Sequence, residues 1–190
     1  KKKKFNMILP IYTYGHSVLR KQCNNVSKSY KGLATLINDM FETMYNANGI
    51  GISAPQVGLS INLFVIDLST LSEDDPSVKP TKEVFINPKI ISLYGDDKSY
   101  NEGCLSIPGI RSDVFRKTKV EIEYYDSNFI KRTSKIDGIF ARVFLHEYDH
   151  LNKTLFIDHL SGQEKNNLNR KLNSIIKGKF NIDYPTFSQK

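Results

Sequence analysis

The chain has 190 residues, of which 39% are apolar, with 10 Tyr and 11 Phe, and that is enough to build one hydrophobic core without disulfide staples. No apolar run reaches the roughly 18 residues that argue for a membrane span, and no charged-then-apolar leader is visible, so neither a membrane protein nor an exported one is expected. The formal charge of +7 leaves two readings open, a nucleic-acid or ribosome surface and plain solubilisation by Lys1 to Lys4 and scattered lysines, while two cysteines, Cys23 and Cys104, exclude a disulfide framework and suit a reducing compartment.

In chain order, residues 30–46 carry Leu33, Leu36, Ile37, Met40, Phe41 and Met44 at helical spacing, with Ser29 as the expected N-cap and Asn48-Gly49 as the stop. Residues 62–68 and 84–91 are β-branched and apolar runs of strand length, and the Asp-, Ser- and Pro-rich stretch 69–82 between them reads as a surface loop. Residues 120–125 alternate, Asp126-Ser127-Asn128 turns, and residues 130–136 return as the second arm of a hairpin. Residues 139–151 are apolar on nearly every side for two turns and then become polar, the pattern of a central helix. Residues 163–176 form a weaker amphipathic helix with Leu168, Leu172, Ile175 and Ile176 inward and Arg170, Lys171 and Lys177 outward. The expected fold class is α+β: antiparallel strands and hairpins around a central buried helix, with a C-terminal helix. One domain covers residues 1–190, with 1–9 and 178–190 as flexible ends.

Within the central helix, His146-Glu147-Tyr148-Asp149-His150 is HExxH. Two histidines one helical turn apart share a face and suit one ion, and the glutamate beside them is placed to take a proton from water. A third ligand is needed. Downstream, Lys153 and Phe156 stand where the metzincin extension requires Gly and His, which leaves His159 and Glu164 as candidates for a peptidase. Upstream, Cys104 in Glu102-Gly103-Cys104-Leu105-Ser106 is the better candidate, against the alternative of a buried structural thiol. Residues 49–58 satisfy the dinucleotide pattern GxGxxA through Gly49, Gly51 and Ala54, but they follow a helix, contain Pro55 and run into a strand, which rejects that reading. Glycines there let a backbone approach an extended ligand, and Gln56 offers an amide donor to a developing oxyanion.

Together and in this order, the glycine segment ending in Gln56, the EGCLS stretch and the HExxH followed by Leu151 resemble the three signature motifs of the peptide deformylases. The likeness runs from about Pro10 to Leu160 and includes residues 14–20 and Ile86-Asn87-Pro88. The resemblance implies that Cys104, His146 and His150 bind one divalent metal ion, usually ferrous iron, with zinc, nickel or cobalt as alternatives. It implies that Glu147 is the general acid/base and that Gln56 and the Leu105 N–H form the oxyanion hole. Formyl-Met nascent peptides are the implied substrates, lying extended against Ile50, Gly51 and Gly103, with Ile50, Ile139 and Val143 around the methionine side chain. Ile139 and Val143 serve equally as ordinary core.

Three departures from the family pattern stand out: Ser53 for a small apolar residue, Lys153 for a glycine, and Arg142 for an apolar residue at the methionine pocket. Arg142 either reshapes that pocket or is a surface arginine with a snorkelling stem. Glu102 or Asp149 is expected to orient the ligands through hydrogen bonds, with Arg111 or Arg116 neutralising one of them, the alternative being exposed salt bridges. The 69–82 loop looks longer than in compact relatives and reads as a tolerated insertion. Two rival functions remain, an HExxH-type metallopeptidase and a non-catalytic basic module on ribosomal RNA, and a mixed form docks a deformylase on ribosomes through its basic C-terminal helix. Oligomeric state is left open. Formylated initiation confines the reaction to bacterial cytoplasm or to an organelle of bacterial descent, plastid-type or mitochondrion. A Lys- and Asn-rich chain starting at Lys1 leans the expectation toward the organelle.

Overall fold

The computed structural model describes residues 7–188, and the Lys1 to Lys4 run lies outside them. A short strand β1 (Ile11–Tyr12) leads to helix α1 (Leu33–Asn46), which buries Ile37, Met40, Phe41 and Met44 along one face, as their spacing requires. The helix starts three residues later than expected. Gly32 takes a left-handed φ of 81° and ends the turn before it, and the Ser29 hydroxyl is spent on Ser27 rather than on a cap. Asn48, with φ of 52°, then breaks the helix where the sequence placed its stop.

The chain next builds an antiparallel meander from strands β2 (Gly51–Ser53), β3 (Leu63–Asp67), β4 (Lys82–Cys104), β5 (Ile107–Tyr125) and β6 (Lys131–Asp137), paired in that order. Between β3 and β4 the expected loop is partly helical, because Asp67 Oδ1 accepts from Ser69 N at 2.9 Å and starts the helix α2 (Ser69–Asp74). The β4–β5 hairpin is far longer than the run 84–91 suggested. In its β4 half, residues 89–101 are exposed or half-exposed, so alternation with an apolar face is missing there and the strand signal with it. Four register shifts bend the arm, and the last, between Gly103 and Cys104, sets Cys104 opposite Ile107. The β5–β6 hairpin forms as expected, its turn fixed by Asp126 Oδ1, which accepts from the N–H of Asn128 and of Ile130, both at 2.9 Å.

Helix α3 (Gly138–Leu151) lies across the sheet. Its Phe144 meets Phe64 and Phe85 with ring centroids 5.3 and 5.2 Å away, and all three rings are fully buried. Each such side chain contributes about 1.5–3 kcal/mol of burial, so the helix that carries the HExxH run is clamped at its apolar half. Helix α4 (Gly162–Ile176) is capped by Ser161 and Glu164 in a reciprocal box and buries Leu172 and Ile175. Beyond it residues 178–188 are held in place: Gly178 turns the chain back, and β7 (Thr186–Phe187) pairs with β1 in parallel, beside the antiparallel five-stranded sheet. The N-terminal segment is also tied down, with Met7 N bonded to Asp39 and Leu9 N to Thr43.

Candidate active site

Three elements converge on one point. The polar end of α3 supplies His146, Glu147 and His150, the bulged end of β4 supplies Cys104, and the 3-10 turn Ala54–Val57 supplies Gln56. One ligand atom from each of Cys104, His146 and His150 lies within 4.8 Å of the others. The sulfur is 3.3 Å from His150 Nε2 and 3.5 Å from the Gln56 amide nitrogen. Gln56 is aimed by Ser53, whose N–H and hydroxyl both donate to Gln56 Oε1 at 2.9 Å. The serine that departs from the family pattern therefore locks the amide with its N–H pointing into the site. Leu105 sits in the turn between β4 and β5, its carbonyl accepting from the Tyr184 hydroxyl at 2.9 Å.

His159 and Glu164, the downstream candidates, are engaged elsewhere, His159 on Asp149 at 2.7 Å and Glu164 in the α4 cap. The other departures also find their places. Lys153 occupies a left-handed φ of 62°, a conformation that explains why glycine suits this position. Gly51 is the close approach: a β-carbon there would lie 2.7 Å from Glu147 Oε1 and 3.0 Å from Val143 Cγ1.

Behind the histidines runs a buried chain of charges. Glu102 Oε2 meets His146 Nδ1 at 2.9 Å, which leaves the histidine's Nε2 for the centre of the site. Arg116 donates to both oxygens of Glu102, at 2.7 and 3.0 Å, and to Asp149 at 2.7 Å. Burial alone would raise the Glu102 pKa, yet the bonds from His146 and Arg116 hold it far below the usual carboxylate range. Arg116, not Arg111, is the neutralising cation; Arg111 turns to Asn101, its Nε 2.8 Å from Oδ1. Arg142 is no surface residue. It is buried, and its guanidinium is divided among Glu102 Oε1 and the carbonyls of Val114 and Lys98.

Burial dominates the two groups that face the centre. It pushes the Glu147 carboxyl up to about 7 and, with the His146 charge, pushes the His150 imidazole down to about 3. Burial works against His146 as well, but its bonds to Cys104 and Glu102 raise it well above the ordinary imidazole value. Among the described residues, Glu147 Oε2 and His150 Nδ1 are buried without a hydrogen-bond partner. A thiol and two imidazoles around one point, with an unanswered carboxylate beside them, fit a divalent cation and the water it brings.

The centre opens into a cavity of about 540 Å³. Its wall includes Ile50, Gly51, Gly103, Ile139, Arg142 and Val143, all anticipated as substrate contacts, together with Leu71, Tyr100, Ile182 and Tyr184, which were not. Leu71 comes from α2, so the supposed insertion reaches the site. For Ile182 and Tyr184 a signal was present: Phe180, Ile182 and Tyr184 alternate with polar residues after Gly178, the period of a strand.

An HExxH helix with a cysteine sulfur 3.3 Å from its second histidine, at the end of a cavity, marks the class of metal-dependent hydrolases. Residues 8–166 match the family model described as polypeptide deformylase. A peptide deformylase from Flavobacterium psychrophilum is 46% identical over 185 residues, covering 94% of this chain and 95% of its own length. Among solved structures, a peptide deformylase from Legionella pneumophila superposes with a TM-score of 0.78 at 37% identity, covering 90% of this chain and 97% of its own. One from Plasmodium falciparum gives 0.80 at 37% identity, with 88% and 95% covered. The chain belongs to the peptide deformylase family, metal-dependent hydrolases that remove the N-formyl group from nascent peptides. The peptidase and the non-catalytic basic module are thereby set aside. The organelle finds no support, since relatives from Flavobacterium, Cytophaga and Salinibacter at 42–46% identity are bacterial. Among the described residues no helix is long and apolar enough to cross a membrane.

Proposed function

We propose that Cys104, His146 and His150 hold one divalent ion, ferrous iron in the native protein, and that Glu147 moves the proton in deformylation. The observation that carries this reading is the convergence of one sulfur and two imidazoles within 4.8 Å, beside the partnerless Glu147 Oε2. When bound, such an ion supplies Lewis acidity, lowering the pKa of water and polarising a carbonyl oxygen. Glu147 accepts a proton from the attacking water and returns it to the leaving amine, so that formate and a free methionyl N-terminus result. The Gln56 amide and the Leu105 N–H donate to the oxyanion of the tetrahedral intermediate.

The substrate backbone extends along β2, which is an edge strand of the meander and borders the cavity at Ile50 and Gly51, with Gly103 opposite. The methionine side chain enters between Ile50, Ile139 and Val143. The stem of Arg142 borders this pocket while its charge is turned away to Glu102, so an apolar side chain is still accommodated.

Anaerobic protein loaded with ferrous iron is expected to release formate from formyl-Met-Ala-Ser, to lose that activity on chelation and to regain it on adding the ion back. Iron-loaded protein that binds metal and releases no formate would sink the assignment. The bacterial relatives support bacterial cytoplasm as the place of action. A thiolate and two imidazoles also accept zinc, nickel or cobalt, and supply decides among them. The exposed Arg170, Lys171 and Lys177 of α4 support a contact with ribosomal RNA. Co-sedimentation with ribosomes is then expected to fall in the R170E/K171E variant, and unchanged pelleting would remove the contact.

A further inference from the structure

The segment after Gly178 reaches the active site through Ile182 and Tyr184. It runs extended, with Ile182, Tyr184, Thr186 and Ser188 half-buried and the residues between them exposed, so every second side chain points inward. The segment is held at three places. Pro185 O and Phe187 O accept from the N–H of Ile11 and Thr13 at 2.9 and 3.1 Å, the Phe187 ring stacks on Tyr12 at 4.9 Å, and the Tyr184 hydroxyl donates to Leu105 O. The next carbonyl in that turn, Ser106 O, accepts from Tyr14 N at 2.8 Å. Tyr14 and Tyr184 thus both grip the turn that follows Cys104, and Ile182 and Tyr184 border the cavity on that side.

The position of these two residues in the cavity decides what they can touch. The formyl group must lie at the Cys104 corner, and the methionine side chain takes the apolar wall of Ile50, Ile139 and Val143. The rim at Leu105 remains for the peptide beyond the first residue. We propose that Ile182 and Tyr184 form the outer wall of the substrate site and contact the peptide on the carboxyl side of formylmethionine. This rests on the deformylase reading of the cavity and adds to it a part of the chain outside the three sequence motifs.

The test compares two substrates and one spectrum. In Ile182→Ala, the KM for formyl-Met-Ala-Ser is expected to rise by about threefold to tenfold more than the KM for formyl-Met amide, the loss of one apolar contact. An equal change for both substrates, or none, overturns the proposal. In zinc-loaded protein with labelled isoleucine methyls, the Ile182 signal is expected to shift with the Ile50 and Ile139 signals on titration with Met-Ala-Ser. Shifts of Ile50 and Ile139 without Ile182 overturn the outer wall alone. No shift at any of the three overturns it together with the placement of the peptide in this cavity.

Discussion

Glu147→Gln is expected to lower kcat/KM for formyl-Met peptides by about 10²–10⁴-fold, the range that general acid–base catalysis supplies, while metal content is unchanged. The substitution keeps the shape of the side chain and leaves Cys104, His146 and His150 in place, so only proton transfer is removed. Its effect on stability has the opposite sign. The wild-type carboxylate is 3% exposed with Oε2 unanswered, and a neutral amide costs less to bury than a charge. The melting temperature is therefore expected to hold or rise as activity collapses. Metal analysis, formate assay and a thermal melt on one preparation check all three, and retained turnover would exclude Glu147 as the base.

Arg116→Met should have the largest effect on folding. The guanidinium is 6% exposed at its side chain and is the shared partner of Glu102 and Asp149. Its removal takes the bidentate partner from buried Glu102, leaving it Arg142 and His146, and leaves half-buried Asp149 with His159 alone, and breaking a buried ion pair in this way costs about 3–5 kcal/mol. The pair Lys117–Asp97, at 2.9 Å with 40% and 58% of the side chains exposed, is the control. Lys117→Met should cost no more than about 1 kcal/mol, because water screens an exposed pair. Denaturant titrations of the two variants compare the values directly. Since Glu102 also fixes His146 through Nδ1, metal affinity in Arg116→Met is expected to fall by about 10- to 100-fold. Equal stability losses in both variants would contradict this account.

The residues proposed to hold the metal and to move the proton were the legible part of the site. HExxH spacing, an apolar helix and a cysteine after a glycine each carry a local physical signature, and the α+β class followed from strand and helix periods that tertiary packing did not override. What lay hidden was whatever depends on a partner far along the chain. Arg142 reads as a surface arginine because nothing nearby shows Glu102, 40 positions earlier, waiting to pair with it. Arg111 and Arg116 lie five positions apart, so once β5 is seen to run through both, alternation puts them on opposite faces, one turned to Asn101 and the other under the histidines. The β4–β5 arm itself escaped notice because its β4 half, residues 89–101, has no buried side chain to give the alternation by which strands are recognised, and the buried face of its β5 half includes a charge, Arg116. Ser53 looked like a neutral replacement until its hydroxyl was found on Gln56.

The pairing of β1 with β7 joins an earlier part of the chain to a much later one: the Thr13 and Ser188 hydroxyls, 175 positions apart, meet at 3.0 Å. Contacts of such separation form late in folding, because the intervening chain must be ordered before they are rewarded. The meander is different, being built from sequence neighbours that can assemble as they emerge. Vectorial synthesis therefore presents the segments that carry Cys104, His146 and His150 before the segment that brings Ile182 and Tyr184 to the cavity. A molecule released short of β7 would carry its histidines and its cysteine in place and yet lack one side of the groove for its substrate.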